Sequence, residues 1–348
     1  MQSLFKKGDN GRSSKGRTVV FGTISGGSNP PWPTVFLKMP SEVKIFSGNS
    51  NRPLAGEIAA QYGSSLGEIL ISRFKDGEIE PSYNESVRGD TLFLVQSTFA
   101  PADNLMELLL MIDAAKRASA KQIIAVIPYY GYARQDRKDK PRVSIGAKLV
   151  ANLLTVAGIN RIVTMDLHAG QIQGFFDIPV DHLDSNSVFY PFLETNPLPN
   201  IAIASPDSGG AKRARAYAHF MKCDMILIDK HRERANEVAS MQIIGEVEGR
   251  DVVIIDDMVD TAGTLCKAAD FLKQKGASSV RAMITHPLLS GDAIEKIEKS
   301  ALTELITTDT IPLQRPSEKI KVLSIAPVFA KAFGKITNFE SISSLFIS

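Results

Sequence analysis

The chain has 348 residues, of which 44% are hydrophobic and 22% are charged, and its formal net charge is +2. This length predicts two ordinary domains, and the composition is typical of a globular protein. A charge this close to zero argues against a surface dedicated to nucleic acid, and no apolar run approaches the ~20 residues that a membrane-spanning helix needs.

The first forty residues differ in composition from the rest of the chain. They are rich in Gly, Ser and Pro, and their one acid, Asp9, is outnumbered by basic residues. We therefore predict a disordered extension over residues 1–40. An organelle transit peptide is the alternative, but amphipathic helical spacing is absent.

From Glu42 onward, apolar strand-like runs alternate with amphipathic helical segments. In the first half the pattern predicts strands at 43–47, 91–96, 122–128 and 161–166. It predicts helices near 54–62, 104–118 and 145–157. Such alternation indicates an α/β fold with a doubly wound parallel sheet, covered by helices on both faces.

A stretch containing Pro and Asn, residues 184–200, interrupts this pattern and marks the predicted domain boundary. The pattern then restarts, with strands at 201–205, 225–229, 251–256 and 279–286 and helices at 209–220 and 261–275. We place an N-terminal domain at 41–184 and a C-terminal domain at 185–332, with 333–348 returning to the first. In open parallel sheets, ligands bind beyond the carboxyl ends of the strands, so we expect the functional residues to follow the strands.

The strongest chemical signal runs from Val252 to Thr264. Four apolar residues predict a strand buried on both faces, and Asp256 and Asp257 follow it. Neighbouring carboxylates can accept hydrogen bonds from sugar hydroxyls and hold Mg²⁺. The next residues open a helix whose amides and hydroxyls can cradle a phosphate. A simple capped helix would explain one acid but not three acids with two threonines, so the segment predicts a Mg²⁺-using enzyme that handles a ribose phosphate.

Two other strand ends carry candidate ligands. Residues 205–213 place Asp207 and paired glycines between a strand and a helix, where backbone amides can approach an anion closely. Asp166-Leu167-His168 ends another apolar strand, and a histidine there is a candidate metal or phosphate ligand. A structural histidine remains the alternative.

Two further segments combine cations with features suited to a nucleotide. Residues 129–140 interleave aromatic and basic side chains that can stack a purine and clamp phosphates, although a solvated charged loop is the alternative. Residues 229–237 follow a strand without apolar periodicity and are expected to form a mobile exposed loop. Cations on such a loop can close over a polyphosphate during its transfer.

These five segments, in this order, resemble the ribose-phosphate pyrophosphokinases, also called phosphoribosyl pyrophosphate synthetases. The resemblance covers roughly residues 42–346, apart from 184–200. The loop at 256–264 is shared with phosphoribosyltransferases, whereas Tyr-Gly-Tyr-Ala-Arg-Gln-Asp at 130–136 and Asp-Leu-His-Ala-Gly-Gln-Ile-Gln-Gly-Phe-Phe at 166–176 belong to the synthetases. The resemblance implies two domains of the type I phosphoribosyltransferase kind. It also implies transfer of the β,γ-diphosphoryl group of ATP to the C1 hydroxyl of ribose 5-phosphate, which gives 5-phosphoribosyl 1-pyrophosphate and AMP.

The resemblance also implies a role for individual residues. The ligands of ribose 5-phosphate would be Asp256, Asp257, Asp260, Thr261, Ala262, Gly263 and Thr264. Arg134 and Gln135 would contact ATP, and His168 and Asp207 would bind Mg²⁺.

Lys230 and Arg232 would neutralise the transferring group. Phe74, Asp76 and Glu78 resemble the segment that reaches into the adenine site of a neighbouring subunit. This implies a homo-oligomer, typically a hexamer built from dimers.

Many family members are activated by phosphate and inhibited by ADP at a site between subunits. The matching positions here are Ser86, Arg88, Asp139, Arg142, Gln173, Ser341 and Ser343. The loop after Arg142 departs from the family pattern, because Ser144 stands where a proline usually precedes the isoleucine. Proline fixes φ and removes a donor, so the rigidity of this loop differs from that of the family.

The chain has two cysteines. Cys223 and Cys266 lie far apart in apolar or helical patterns, which favours free thiols and a reducing, cytoplasmic location.

There are two alternative functions. A phosphoribosyltransferase would need neither the loop at 129–140 nor the doubled architecture. A non-catalytic regulatory member of the family would show a lost or interrupted mobile loop, yet Lys230, Arg232 and Asn236 are present without an insertion. We therefore favour the enzyme.

Overall fold

The computed structural model of the protein describes residues 42–231 and 240–345, without the side chains of residues 230, 231, 240, 241 and 344. The predicted extension at 1–40 lies outside these residues. Within them, two largely parallel sheets with helices on both faces confirm the predicted α/β fold. No helix in the described part of the chain is long and apolar enough to cross a membrane.

The first half is built on a five-stranded parallel sheet with the order β1-β4-β5-β6-β7. Its strands are β1 (Val43–Ser47), β4 (Thr91–Val95), β5 (Gln122–Ile127), β6 (Arg161–Met165) and β7 (Val180–Leu183). Its helices are α1 (Arg52–Tyr62), α2 (Asp103–Arg117) and α3 (Gly146–Ala157), and a 3₁₀ turn covers Gly170–Phe175. An antiparallel hairpin, β2 (Ile69–Arg73) and β3 (Ile79–Tyr83), packs against α2, and the Tyr83 hydroxyl donates to the Met111 carbonyl at 2.9 Å.

The second half is built on a seven-stranded sheet with the order β10-β9-β8-β11-β12-β13-β14. The strands are β8 (Ile201–Ser205), β9 (Asp224–His231), β10 (Ser240–Ile244), β11 (Asp251–Val259), β12 (Ser279–Pro287), β13 (Glu304–Thr308) and β14 (Ile320–Leu323). Its helices are α4 (Asn186–Thr195), α5 (Ala211–Met221), α6 (Gly263–Gln274) and α7 (Ala293–Lys299). All neighbouring strands are parallel except β10, which pairs antiparallel with β9 at the edge.

Strand β11 shows how the sequence produces a sheet buried on both faces. Side chains alternate between the faces of a strand, so its four consecutive apolar residues divide between two cores. Val252 and Ile254 pack with α6 and α7, whereas Val253 and Ile255 pack with α4 and α5. A strand of this kind requires an apolar residue at every position, which is why the run is continuous.

Three local predictions are corrected by the structure. The stretch at 184–200 contains helix α4, because Phe189, Tyr190 and Leu193 form an apolar face that is buried on the second sheet. Strand β11 extends beyond Asp256 to Val259, and helix α6 begins at Gly263 instead of residue 261. The expected loop after residue 229 also begins later, because β9 continues to His231 by pairing with β10.

The last helix, α8 (Ala326–Thr337), returns to the first half and packs against α1. Phe333 is fully buried there. Its ring stacks on Phe93 of β4 with the centroids 3.9 Å apart, and it meets Tyr62 edge to face at 6.1 Å. Helix α8 therefore links the two halves, because it follows the strands of the second sheet in the chain and packs on the first half.

Replacing Phe333 by Ala is expected to lower the free energy of unfolding by about 3–5 kcal/mol, because a large ring is lost from a closed core. The matched control is Phe339→Ala, whose ring is 97% exposed, and which should change that free energy by no more than about 0.5 kcal/mol. Urea denaturation followed by circular dichroism measures both values. Equal losses in the two variants would contradict the docking of α8.

Candidate active site

A cavity of about 1370 Å³ lies between the carboxyl ends of the two sheets. Its walls come from the loops after β5, β6, β7 and β8 and from the end of β11. The predicted site residues that line it are Arg134, Gln135, Asp139, His168, Asp207, Asp256 and Asp257. Side chains predicted for ATP, metal and sugar binding are thus brought to one place.

The most direct contact across the cavity joins His168 and Asp257. His168 follows β6 of the first half, Asp257 lies on β11 of the second, and His168 Nδ1 is 2.7 Å from Asp257 Oδ2. The hydrogen bond that Asp257 accepts raises the pKa of His168 above its ordinary value despite partial burial. Burial acts to raise the pKa of Asp257, but the His168 hydrogen bond and the charge of Arg213 bring it well below its usual range.

Asp256 behaves differently from its neighbour. Burial and the adjacent charge of Asp257 raise the pKa of Asp256 to about 7, because two carboxylates so close together resist ionising at once. Its Oδ1 accepts a hydrogen bond from the Asp257 amide at 2.9 Å. Among the described residues, no cationic side chain is bonded to Asp256. Asp256 also lines the cavity.

Further acids crowd the same wall. Burial and the nearby Asp166 raise the pKa of Asp184 to about 6. Arg213, in the first turn of α5, lies among these carboxylates and is the main cation that lowers the pKa of the buried Asp166. Its Nη1 atom is buried and has no hydrogen-bond partner in the described structure. In all, seven aspartates line the cavity, together with five lysine and arginine side chains.

The loop after β8 places Asp207, Gly209 and Gly210 on the cavity wall. Asp207 Oδ1 accepts a hydrogen bond from the Gly210 amide at 3.0 Å, and the buried Ser205 hydroxyl donates to the Asp207 carbonyl at 2.7 Å. A Cβ at position 210 would lie 2.9 Å from Ser205 Oγ, so glycine keeps this turn tight. The exposed carboxylate of Asp207 is held at the cavity wall.

The predicted sugar-phosphate loop lies beside the cavity and is joined to it by an ion pair. Arg134 Nη1 is 2.7 Å from Asp260 Oδ2. Ala262 has a left-handed backbone with φ of 57°, and helix α6 starts immediately after it. The first amides of a helix have no partner within the helix. The backbone amides at the start of α6, near Thr261, Gly263 and Thr264, are therefore suited to bind a phosphate.

The structure corrects the prediction for two tyrosines of the loop after β5. Tyr129 and Tyr130 are buried and cannot stack on a base, because Tyr129 packs edge to face on His286 and the Tyr130 hydroxyl bonds the Ala147 carbonyl at 2.9 Å. Tyr132 is 40% exposed. Gly131 is required because a Cβ there would lie 2.0 Å from the Thr98 carbonyl oxygen.

Other predicted residues lie away from the cavity. Phe74, Asp76 and Glu78 occupy the exposed turn between β2 and β3, where the Phe74 amide donates to the Glu78 carbonyl at 2.9 Å. Of the positions matched to phosphate and ADP control, Asp139 lines the cavity. In the described structure the others do not: Ser86, Arg88, Arg142, Gln173, Ser341 and Ser343.

The predicted mobile-loop cations lie partly outside the described residues. Lys230 lies on β9, where its backbone pairs with Met241, and its side chain is outside the described residues, as is the whole of Arg232. Two contributors to the site were missed by the sequence analysis, Arg213 and Asp184. Arg213 stands in the quoted run at 205–213, and Asp184 follows β7, so the rule of searching after each strand would have found both.

Comparisons with known proteins agree with this arrangement. A family model described as the N-terminal domain of ribose phosphate pyrophosphokinase matches residues 43–158, and one described as the phosphoribosyl synthetase-associated domain matches residues 231–347. The ribose-phosphate pyrophosphokinase of Wolinella succinogenes is 57% identical over 305 residues, 87% of this chain and 99% of the relative. That of Porphyromonas gingivalis is 55% identical over 303 residues, 87% and 97% of the two chains.

A solved structure, the phosphoribosylpyrophosphate synthetase from Mycobacterium smegmatis, has a TM-score of 0.82 and 37% identity, with 86% of this chain and 100% of that chain covered. The fold and the cavity define an α/β protein with one ligand site shared by two parallel-sheet halves. The similarities to these known proteins identify the family within that class. The chain belongs to the ribose-phosphate pyrophosphokinase family, which confirms the resemblance seen in the sequence.

Replacing Asp257 by Asn should lower the pKa of His168 by about 1 unit or more, because a carboxylate within hydrogen-bond distance favours the charged imidazolium. NMR titration of the His168 ring protons in the presence of EDTA measures this value. Asp207→Asn is the control, since Asp207 lines the same cavity but bonds the Gly210 amide. An unchanged His168 pKa in Asp257→Asn would contradict the observed pairing.

Proposed function

We propose that this protein transfers the β,γ-diphosphoryl group of ATP to the C1 hydroxyl of ribose 5-phosphate. The products are 5-phosphoribosyl 1-pyrophosphate and AMP. Family membership supports this reaction. The observation that carries it is the single cavity at which the acidic pair of β11 faces Arg134 and His168 from the other half. One half thus presents groups for a sugar phosphate and the other presents groups for a nucleotide.

In this proposal, Asp256 and Asp257 accept hydrogen bonds from the vicinal hydroxyls of ribose, and the start of α6 holds its 5-phosphate. Carboxylates accept such bonds without competing donors, and the unpaired amides after Ala262 favour an anion. Arg134, now paired with Asp260, exchanges that partner for ATP phosphates when the substrates bind. Arg and carboxylate or phosphate oxygens form comparable charge-assisted bonds, so this exchange costs little.

The donor set also fits Mg²⁺, with His168 and Asp207 as the protein ligands. Mg²⁺ usually keeps several waters and is bound by one or two protein groups together with substrate phosphates. The described residues contain no group of three or more His, Cys, Asp and Glu side chains arranged around a metal, so the substrate would supply further ligands. The surplus of carboxylates along the wall suits a cation. When bound, Mg²⁺ would neutralise charge on the diphosphate.

The chemical step requires alignment more than a protein nucleophile. The C1 hydroxyl oxygen forms a bond to the β-phosphorus of ATP, and the bond from that phosphorus to the oxygen bridging it to the α-phosphorus breaks. That oxygen leaves with AMP, and the proton of the C1 hydroxyl is released to solvent. Charge redistributes over the transferring group during this exchange, so cations placed around it stabilise the transition state. We assign this role to Lys230 and Arg232.

The proposal extends to assembly and control. We propose a homo-oligomer in which the exposed turn carrying Phe74, Asp76 and Glu78 enters the adenine site of a neighbouring subunit. The exposure of Phe74, 53%, supports this role, because a large apolar side chain gains by being covered. Control by phosphate and ADP at the matching positions is part of the same proposal. Enzyme kinetics with and without phosphate, together with ADP titration, tests it.

The reaction is tested by mixing the protein with ATP, ribose 5-phosphate and Mg²⁺ and measuring AMP. We expect AMP to appear only when all four are present, to stop when EDTA removes the metal, and to resume when Mg²⁺ is restored. AMP formation without the sugar would indicate simple ATP hydrolysis. Absence of AMP from the complete mixture, with the protein folded by circular dichroism, would refute the proposed function.

Lys230→Ala or Arg232→Ala should lower kcat by about 10³-fold, since a cation that acts on the transition state contributes on that order, equivalent to ~4 kcal/mol of barrier. The matched controls are Lys267→Ala and Arg215→Ala. Both side chains are exposed on helices and do not line the cavity, so kcat should stay within about twofold of the parent. Losses of tenfold or less in both test variants would remove these residues from the mechanism.

A further inference from the structure

Asp166 directly follows β6 of the first half and is 7% exposed. It adopts a left-handed backbone with φ of 39°, which is rare and costs energy for a residue with a side chain. It precedes His168 by two positions. A buried, charged and strained residue at this point is retained only when its surroundings hold it firmly in place.

The side chain of Asp166 is bonded from two directions. Ser185, which follows β7, donates to Asp166 Oδ1 through its amide at 3.2 Å and to Oδ2 through its hydroxyl at 2.5 Å. Thr285 on β12 of the second sheet donates its hydroxyl to Oδ2 at 2.5 Å. Both carboxylate oxygens are therefore engaged, and one of the bonds crosses from one sheet to the other.

The backbone of Asp166 is bonded to the same strand. His286 Nε2 is 3.1 Å from the Asp166 carbonyl oxygen, and His286 Nδ1 is 3.0 Å from Thr310 Oγ1. Burial lowers the pKa of His286, which favours a neutral ring that donates to one group and accepts from the other. The side chain and the main chain of Asp166 thus both hold β12, and His286 and Thr310 are themselves buried.

Strand β12 lies beside β11, with Ile284 paired to Asp256 and His286 paired to Met258. A bond from Asp166 to Thr285 therefore fixes β6 against the part of β11 that carries Asp257. We propose that Asp166 is a positioning residue, held by Ser185 and Thr285, which sets His168 of one half against Asp257 of the other. Its carboxylate is a joint between the sheets and is not a metal ligand.

The competing role is direct metal binding, which an aspartate near His168 at a strand end could otherwise perform. The two roles make different predictions for Thr285. Its hydroxyl is buried and points at Asp166, so it can affect the cavity only through the joint. Thr285→Val, which removes the hydroxyl and keeps the shape, therefore tests the joint without touching a substrate.

Thr307→Val is the matched control. Thr307 is on the adjacent strand β13, is fully buried, and its hydroxyl has no hydrogen-bond partner in the described structure. The same substitution there removes a hydroxyl from the same sheet without breaking a bond. Thr285→Ser keeps the hydroxyl and serves as the conservative rescue variant. Asp166→Asn supplies the second test.

The kinetic arm of the experiment rests on the proposed function. It measures kcat, both KM values and Mg²⁺ dependence at a temperature where circular dichroism shows every variant folded. Thr285→Val should lower kcat about tenfold, since small misplacements of aligned groups carry large rate penalties. KM for ATP should change little. Asp166→Asn should lose at least as much activity, whereas Thr307→Val and Thr285→Ser should stay within about twofold of the parent.

The second arm measures Mn²⁺ binding by electron paramagnetic resonance, which does not require turnover. A joint predicts that Thr285→Val and Asp166→Asn weaken Mn²⁺ binding in parallel. Weaker binding in Asp166→Asn alone would show a metal ligand and overturn the proposal. Equal behaviour of Thr285→Val and Thr307→Val in both arms would also overturn it. If the parent protein forms no AMP, but Thr285→Val binds Mn²⁺ more weakly than Thr307→Val does, the proposed reaction is refuted and the joint is still supported.

Discussion

The hydrogen bond between His168 and Asp257 joins two sheets whose carboxyl ends would otherwise repel each other. Aspartates from both halves lie at this junction, and the pKa values of Asp184 and Asp256 are raised by burial and by the neighbouring carboxylates. Opposing carboxylates in a partly buried setting destabilise one another unless cations or donors intervene. His168 and Arg213 supply part of that compensation. The remaining negative charge makes the cavity a place for cations, whether these arrive alone or with a substrate.

Much of the fold could be predicted because its signals are local. The four apolar residues before Asp256 required a strand with two buried faces, and the structure divides them between two cores as that pattern demands. Helix α4 was missed because Asn and Pro191 obscured a short apolar face. The extension of β9 to His231 depends on pairing with β10, and its charged residues give no sign of that partner.

The candidate site was predicted in its parts but not in its connections. Acids and glycines after strands are visible in the sequence, and the chemistry of sugar phosphates gave them meaning. The partner of His168, however, is 89 residues away, and Arg134 meets Asp260 across 126 residues. Such pairings arise from the way two sheets face each other. The spacing of residues within either half does not encode these pairings. The burial of Tyr129 against His286 of the other half could not be predicted for the same reason.

The doubled architecture has a consequence for how the site works. A cavity whose walls come from one sheet keeps its geometry as long as that sheet is folded. Here His168 and Asp257 belong to different halves, so their spacing depends on the angle between the sheets. Hydrogen bonds such as that from the Ser97 hydroxyl to the Thr310 carbonyl, at 2.7 Å, and from the Asn51 side chain to the Asp309 carbonyl, at 2.7 Å, resist changes in that angle. The polar junction between the sheets is therefore part of the catalytic geometry, even where it never touches a substrate.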